Sequence, residues 1–205
     1  AAPAAPGPAQ FDPRKTVPGA AAMIDFVARR SLPPSVPGYA VEVAELISLP
    51  EVLHAVEQAQ AAAEVVDVLH RYALQFFDLV VMLRYGKGRF EVTAVSSRGW
   101  AWPVDKIGTR ALGYDQLPET IRKLGQPYLG PLDPDMRIGE ILAAVGRPAP
   151  LNAMMLPISL KGRAVIVVYG DNGARGTTFE EVNDLFHATW VASNRLLQLL
   201  EKRRG

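Results

Sequence analysis

The 205-residue sequence contains no cysteine. That absence excludes disulfides, thiolate nucleophiles, iron–sulfur ligation and cysteine–zinc sites together. Histidine is scarce as well. His54, His70 and His187 stand far apart on segments expected to be helical, and no two share metal-ligand spacing. No metal and no cofactor are expected. Long apolar runs are missing, and none approaches the roughly 18 residues that cross a bilayer. The N-terminus has neither the basic nor the apolar region of a signal peptide. A cytoplasmic setting without a membrane partner is expected. The first residue is Ala1, and a piece of a longer protein is the expectation. An excess of one charge is lacking too: Lys and Arg number 22 against 21 for Asp and Glu, a net +1. A phosphate backbone calls for a basic face, so no nucleic-acid partner is expected. The basic run Lys202-Arg203-Arg204 suits the negative end of a helix.

Signatures of catalysis are also missing. Gly86-Lys87 has no phosphate loop around it. There is no Gly-x-Ser-x-Gly elbow and no paired-carboxylate arrangement. Asp133 and Asp135 flank Pro134 as turn residues. The expectation is a non-enzyme, with an unfamiliar catalytic constellation as the alternative.

What is present divides the chain. Residues 1–18 are rich in Ala and Pro, a composition of extended linkers, and imply a tether to an upstream domain. Residues 19–48 form a lead-in, with a short helix over 19–30 and a short helix or irregular brace over 39–49. Ser48, Pro50 and Glu51 signal a helix start. From there to Phe77, Val52, Val56, Ala59, Ala63, Val66, Ala73 and Phe77 keep a 4,3 rhythm broken at His70. This predicts one long helix, whose stripe either packs on its own sheet or forms a coiled-coil seam. Leu79–Tyr85 and Arg89–Ser97 around Gly86-Lys87-Gly88 predict a β-hairpin. Residues 98–150 are an irregular, glycine-rich crossover, with short helices over 117–124 and 136–145 and a short strand within 126–132. Ala153–Leu160 and Arg163–Tyr169 around Lys161-Gly162 predict a second hairpin. Thr178-Phe179-Glu180-Glu181 is a capping box. Val182, Leu185, Thr189, Ala192, Leu196 and Leu199 then mark a helix reaching Lys202.

Two features carry a resemblance: Leu156-Pro157-Ile158-Ser159-Leu160-Lys161-Gly162-Arg163 running through the apolar strand to Gly170-Asp171, and Thr178-Phe179-Glu180-Glu181-Val182. With the element order, residues 49–203 resemble the GAF family. Gly130-Pro131-Leu132 and Tyr169–Gly173 are also similar to GAF-like domains of multidomain delta-proteobacterial proteins. Some of those carry an upstream domain related to the N-terminal part of type II secretion ATPases. The resemblance implies an α+β, GAF/PAS-like fold: a central antiparallel sheet, long N- and C-terminal helices on one face, and the irregular crossover on the other. It implies a regulatory or sensory module of a larger protein, acting through protein–protein contact or a homodimer. A small-molecule sensor for a nucleotide or heterocycle is the alternative. An accessory domain of a secretion or motility ATPase-related protein is a second. The sequence departs from cysteine-linked bilin domains and from GAF-fold methionine sulfoxide reductases, and it lacks the signature of cyclic-nucleotide domains.

Trp100-Ala101-Trp102 follows the first hairpin, and residues two apart on a strand share a face. One reading makes the pair a wall of a ligand pocket under 98–150, with Ser97, Arg98 and Tyr128 as polar handles and Met82, Met154 and Met155 as lining. The other makes them core filling. The candidate ligand residues are Ser97, Trp100, Trp102, Tyr128 and Met154. The candidate dimer residues, taken from the two helical stripes, are Val56, Ala63, Val66, Leu196 and Leu199.

Overall fold

A computed structural model describes residues 36–202, apart from 44, 108–111 and 134–135. The linker over 1–18, the helix over 19–30 and the Arg203-Arg204 tail lie outside the described residues. The first half runs β1 (Tyr39–Ala40), α1 (Leu49–Gln58), α2 (Ala62–Ala73), β2 (Leu79–Gly86), β3 (Arg89–Ser97), β4 (Trp100–Ala101) and α3 (Val104–Ile107). The second half runs β5 (Leu112–Gly113), β6 (Tyr128–Gly130), α4 (Ile138–Ala144), β7 (Ala153–Leu160), β8 (Arg163–Asp171) and α5 (Asn183–Lys202). Single helical turns lie at Tyr114–Gln116, Thr120–Leu124, Gly173–Arg175 and Glu180–Val182.

Both hairpins form where their turn residues require. Lys87 and Gly88 take φ of 51° and 84°, and Lys161 and Gly162 take 52° and 76°. Two consecutive left-handed residues give a two-residue turn whose twist matches the strands it joins. The hairpins pair through β2 and β8, with Leu79 opposite Asp171 and Arg84 opposite Ile166. The antiparallel sheet has the order β1-β4-β3-β2-β8-β7-β6, and β5 pairs with β3. Central β8 is buried at six successive positions, 166–171, as a strand covered on both faces should be.

Alternation along the strands divides the core in two. Val80, Met82, Met154, Leu156, Ile158 and Val168 pack under α1, α2 and α5. Leu79, Val81, Leu83, Phe90, Met155, Val167 and Tyr169 pack under the crossover. The expected α+β architecture, helices on one face and crossover on the other, is what the chain adopts. The C-terminal helix also follows its pattern: all six residues of its stripe are buried. Its capping box closes, with the Thr178 amide donating to Glu181 Oε2 at 2.8 Å and the Glu181 amide to Thr178 Oγ1 at 3.4 Å.

The single helix expected over 50–77 is instead two. α1 ends at Gln58, and Ala59 takes an extended ψ of 131°. The guanidinium of Arg195 on α5 donates to the Ala59 carbonyl from Nε at 2.9 Å and Nη2 at 2.6 Å. The Gln60 amide donates to Glu64 Oε2 at 2.7 Å, which starts α2. A tertiary charge–dipole contact thus satisfies a helix end that local sequence would have continued. The break also rotates the buried face. Val52, Val56 and Ala59 are followed inward by Val65, Val68, Leu69, Tyr72 and Ala73, not by Ala63 and Val66. Among the described residues of 39–49 there is no helix before Leu49; Tyr39–Ala40 pair with β4 and the described residues after them are irregular.

Candidate functional site

The crossover carries two layers of structure. Its inner layer is apolar: Trp102, Ile107, Leu112, Leu117, Ile121, Ile138, Ile141 and Leu142 are buried against the sheet. Core residues of this kind exclude water from the space beneath them. The outer layer opens a groove of about 380 Å³ between the turns at 114–124 and β6. Asp115, Gln116, Leu117, Pro118 and Glu119 form one side, with Arg122 beside them, and Tyr128, Asp133 and Met136 face them.

Local bonding holds these groups. Arg122 Nε donates to the Leu117 carbonyl at 2.8 Å, bracing the turn against its own chain. Tyr128 Oη donates to the Pro131 carbonyl at 2.6 Å, which fixes the ring as a wall. Burial pushes the Tyr128 phenol up from its ordinary value, and the Asp133 charge adds to that, so it stays a donor. Lys123 Nζ lies 2.5 Å from Glu119 Oε1. That hydrogen bond and charge hold the Glu119 carboxyl below its usual range. The groove thus combines an aromatic face, a thioether, a guanidinium and carboxylates. This set suits a small organic ligand with both donors and acceptors.

A buried polar latch lies where β8 ends. Asp171 is 1% exposed. Its Oδ1 accepts from Arg147 Nη2 at 3.0 Å and the Gly173 amide at 2.9 Å, and its Oδ2 from Tyr169 Oη at 2.9 Å. Burial, then the Asp171 charge, drives the Tyr169 phenol well above its ordinary value, so it remains protonated. Asn172 continues the latch toward the helices. Its Oδ1 accepts from the Asp78 amide at 2.9 Å, and its Nδ2 donates to the Phe76 carbonyl at 3.0 Å and to Thr177 Oγ1 at 2.8 Å. Two successive residues, Asp171 and Asn172, therefore join α4's exit, the α2–β2 connection and the approach to α5.

The structure separates the expected ligand residues. Tyr128 lines the groove. Trp100 and Trp102 do share a side, since a Cβ on Gly38 would overlap the Trp100 indole and come within 3.0 Å of Trp102 Nε1. They sit at the β4 end with half-buried Ser97, away from the groove-lining set; Trp102 is core and Trp100 is 44% exposed. Met154 points into the helix-covered core, because strand side chains alternate and Met155 takes the crossover face. Met82 likewise faces the helices. Arg98 caps α2 instead of serving a pocket, donating to the Leu74 carbonyl at 3.2 Å and the Gln75 carbonyl at 2.8 Å. Of the dimer set, Val56, Leu196 and Leu199 are buried in the chain's own core, Val66 is half-buried and Ala63 is exposed. Arg122, Met136, Asp115 and Asp133 escaped the sequence reasoning because turns carry no periodicity to reveal which side chains converge. Pro118, ahead of the turn at 120–124, was the one available signal.

The sequence matches no family model and no curated protein. Solved structures do match. One is the GAF domain of a phosphoenolpyruvate-protein phosphotransferase from Coxiella burnetii, at 13% identity and TM-score 0.55, covering 77% of this chain and 95% of that one. Another is the free methionine-R-sulfoxide reductase of Neisseria meningitidis with its substrate, at 12% identity and TM-score 0.56, covering 80% and 98%. A third is the phycocyanobilin-bound GAF domain of a cyanobacterial phytochrome, at 14% identity and TM-score 0.52, covering 78% and 100%. The fold is the GAF fold. At these identities the likeness extends to architecture alone. Among the described residues, no helix is long and apolar enough to cross a membrane, and no group of three or more metal-ligating side chains converges.

Proposed function

We propose that this chain is a non-catalytic, regulatory or sensory GAF-type module of a larger protein, and that it takes a small ligand in the groove bounded by Tyr128 and Arg122. The observation that carries this reading is the groove's position. It opens beside the crossover, the face on which the latch from Arg147 through Asp171 and Asn172 begins. Ordering of the crossover by a ligand would act on Arg147, and through Asp171 and Asn172 on the segments that lead into α2 and α5. The neighbour that holds phycocyanobilin uses the same architecture for a ligand. The sulfoxide reductase among the neighbours does not transfer its chemistry, since this sequence has no cysteine to act as nucleophile or reductant.

The test is a thermal-shift screen of nucleotides and heterocycles against the wild type and Tyr128→Ala. A compound that stabilises the wild type by several degrees should lose that effect in the variant, since stabilisation follows occupancy. Compounds that stabilise both equally would place the site elsewhere.

A homodimer is a second reading, supported by one observation: the outer face of α5 displays Trp190, 65% exposed, with His187 6.3 Å away between ring centroids. This moves the proposed interface from the buried stripes to the solvent face of the helix layer. Light scattering on Trp190→Glu tests it; an unchanged monomeric mass in wild type and variant would rule it out.

A further inference from the structure

Two turns that lie far apart in sequence share one pole of the sheet. Because β2 pairs antiparallel with β8, the Lys87-Gly88 turn and the Lys161-Gly162 turn are brought side by side. Arg84, Arg89 and Arg163 flank them, and all five cations are exposed. They occupy the ends of β3, β2, β8 and β7, neighbours in the sheet. Adjacent strands lie about 4.8 Å apart, so the set spans on the order of 15 Å. Over 84–91 and 158–166 the only carboxylate is Glu91, opposite Arg84 and 3.8 Å from Arg89 Nε. From β5's side Asp115 joins it, its exposed carboxylate lying against Gly113, the partner of Arg89. On a chain whose total charge is +1, the five cations outnumber these two carboxylates and leave the pole positive.

Arg163 is fixed rather than loose. Its guanidinium lies 4.4 Å from the Tyr85 ring centroid and 5.1 Å from that of Tyr114, and it donates to Tyr85 Oη. Those rings are themselves set edge-on to each other, 5.8 Å apart, with Tyr85 packed against Phe90 at 5.2 Å. A stacked arginine presents a planar fork of donors at a defined angle, the geometry that carboxylates match.

We propose that this pole is a docking surface for an acidic polypeptide segment of a partner protein. The tips carry Gly86, Gly88 and Gly162 beside the lysines, so no large apolar side chain is offered for insertion into a bilayer interface. Tyr85 and Tyr114 are half-buried and lie against Arg163, so neither ring is an open platform for a nucleic-acid base. A short row of carboxylates at strand-like spacing meets the charge, the width and the arginine geometry together. The surface adjoins the groove wall, since Tyr114 packs on Arg163 and Asp115 lines the groove, but the docking needs no ligand there.

The probe is a fluorescein-labelled octaglutamate peptide, followed by anisotropy with the whole chain at about 50 mM salt. Lys87→Asn combined with Lys161→Asn removes two charges, and Asn tolerates the left-handed backbone of both turns, so the hairpins are retained. Matching thermal melts verify that. Arg71→Asn removes an exposed cation on α2 and serves as the control. The expected result is binding that the double variant weakens by about tenfold or more, that the control leaves unchanged, and that about 0.5 M salt abolishes. Three results overturn the proposal. One is no peptide binding by the wild type, and another is equal binding by the double variant. The third is tighter binding of phosphatidylserine vesicles or a labelled oligonucleotide than of the peptide, lost in the same double variant.

Discussion

The two faces of the sheet are held by different means. On the helix-covered face, α1, α2 and α5 bury regular stripes, and polar bonds serve mainly to end helices, as Arg195 ends α1 and Arg98 ends α2. On the crossover face, short turns are pinned one at a time by side-chain bonds to nearby carbonyls, as at Arg122 and Tyr128. Packing of a long amphipathic helix is cooperative along its length. A chain of short turns divides its stability among separate local contacts, and can open locally. The two faces therefore differ in build: the helix face packs as continuous stripes, and the crossover face is held turn by turn.

The largest expected effect comes from the latch that joins the faces. Asp171→Ala removes the acceptor of Arg147 and Tyr169 and leaves a partly buried cation unpaired. Breaking a buried pair from one side costs about 3–5 kcal/mol. Urea unfolding should show that loss, and a cost below about 1 kcal/mol would mean that the latch does not join the faces. Arg195→Ala comes next. It leaves the Ala59 carbonyl without its guanidinium, and loss of a charge-assisted bond costs about 1.5–3 kcal/mol. The same unfolding measurement applies, and hydrogen exchange in 55–59 should rise without a change over 114–124.

A smaller effect sharpens the comparison through pH. Burial holds His70 on α2 below its ordinary value of 6.5, against a partial opposing pull from Asp67. The folded state therefore resists a proton that the unfolded chain accepts. The contribution is complete above pH 6.5 and is lost as pH falls toward the depressed value. Thermal melts from pH 7.5 to 5 should show wild-type stability falling below pH 6.5 more steeply than that of His70→Phe. Parallel profiles would remove His70 from the account.

Legibility followed the same division. Both hairpins, the final helix and its cap were readable, because alternation, Lys-Gly turns and Thr178–Glu181 are local signals. The break at Ala59 was not, since Arg195 lies 136 residues away and no helix-breaking residue marks the site. Met154 was assigned to the wrong face because AMMLPISL is apolar at successive positions and gives alternation nothing to select. The groove was unreadable for a further reason: Arg122, Tyr128 and Met136 are brought together by turns whose course no periodicity encodes. The basic pole was hidden too, as Lys87 and Lys161 become neighbours only through the pairing of β2 with β8.

Native-state amide hydrogen exchange on the wild type tests the central claim most directly, because it measures the two faces in one experiment. The amides of 114–124 should exchange through local opening, insensitive to low urea, while those of β2, β8 and 185–199 exchange only with global unfolding. Exchange of 114–124 at the same free energy and urea dependence as the helix face would contradict the account, since the crossover would then have no freedom of its own to respond to a ligand.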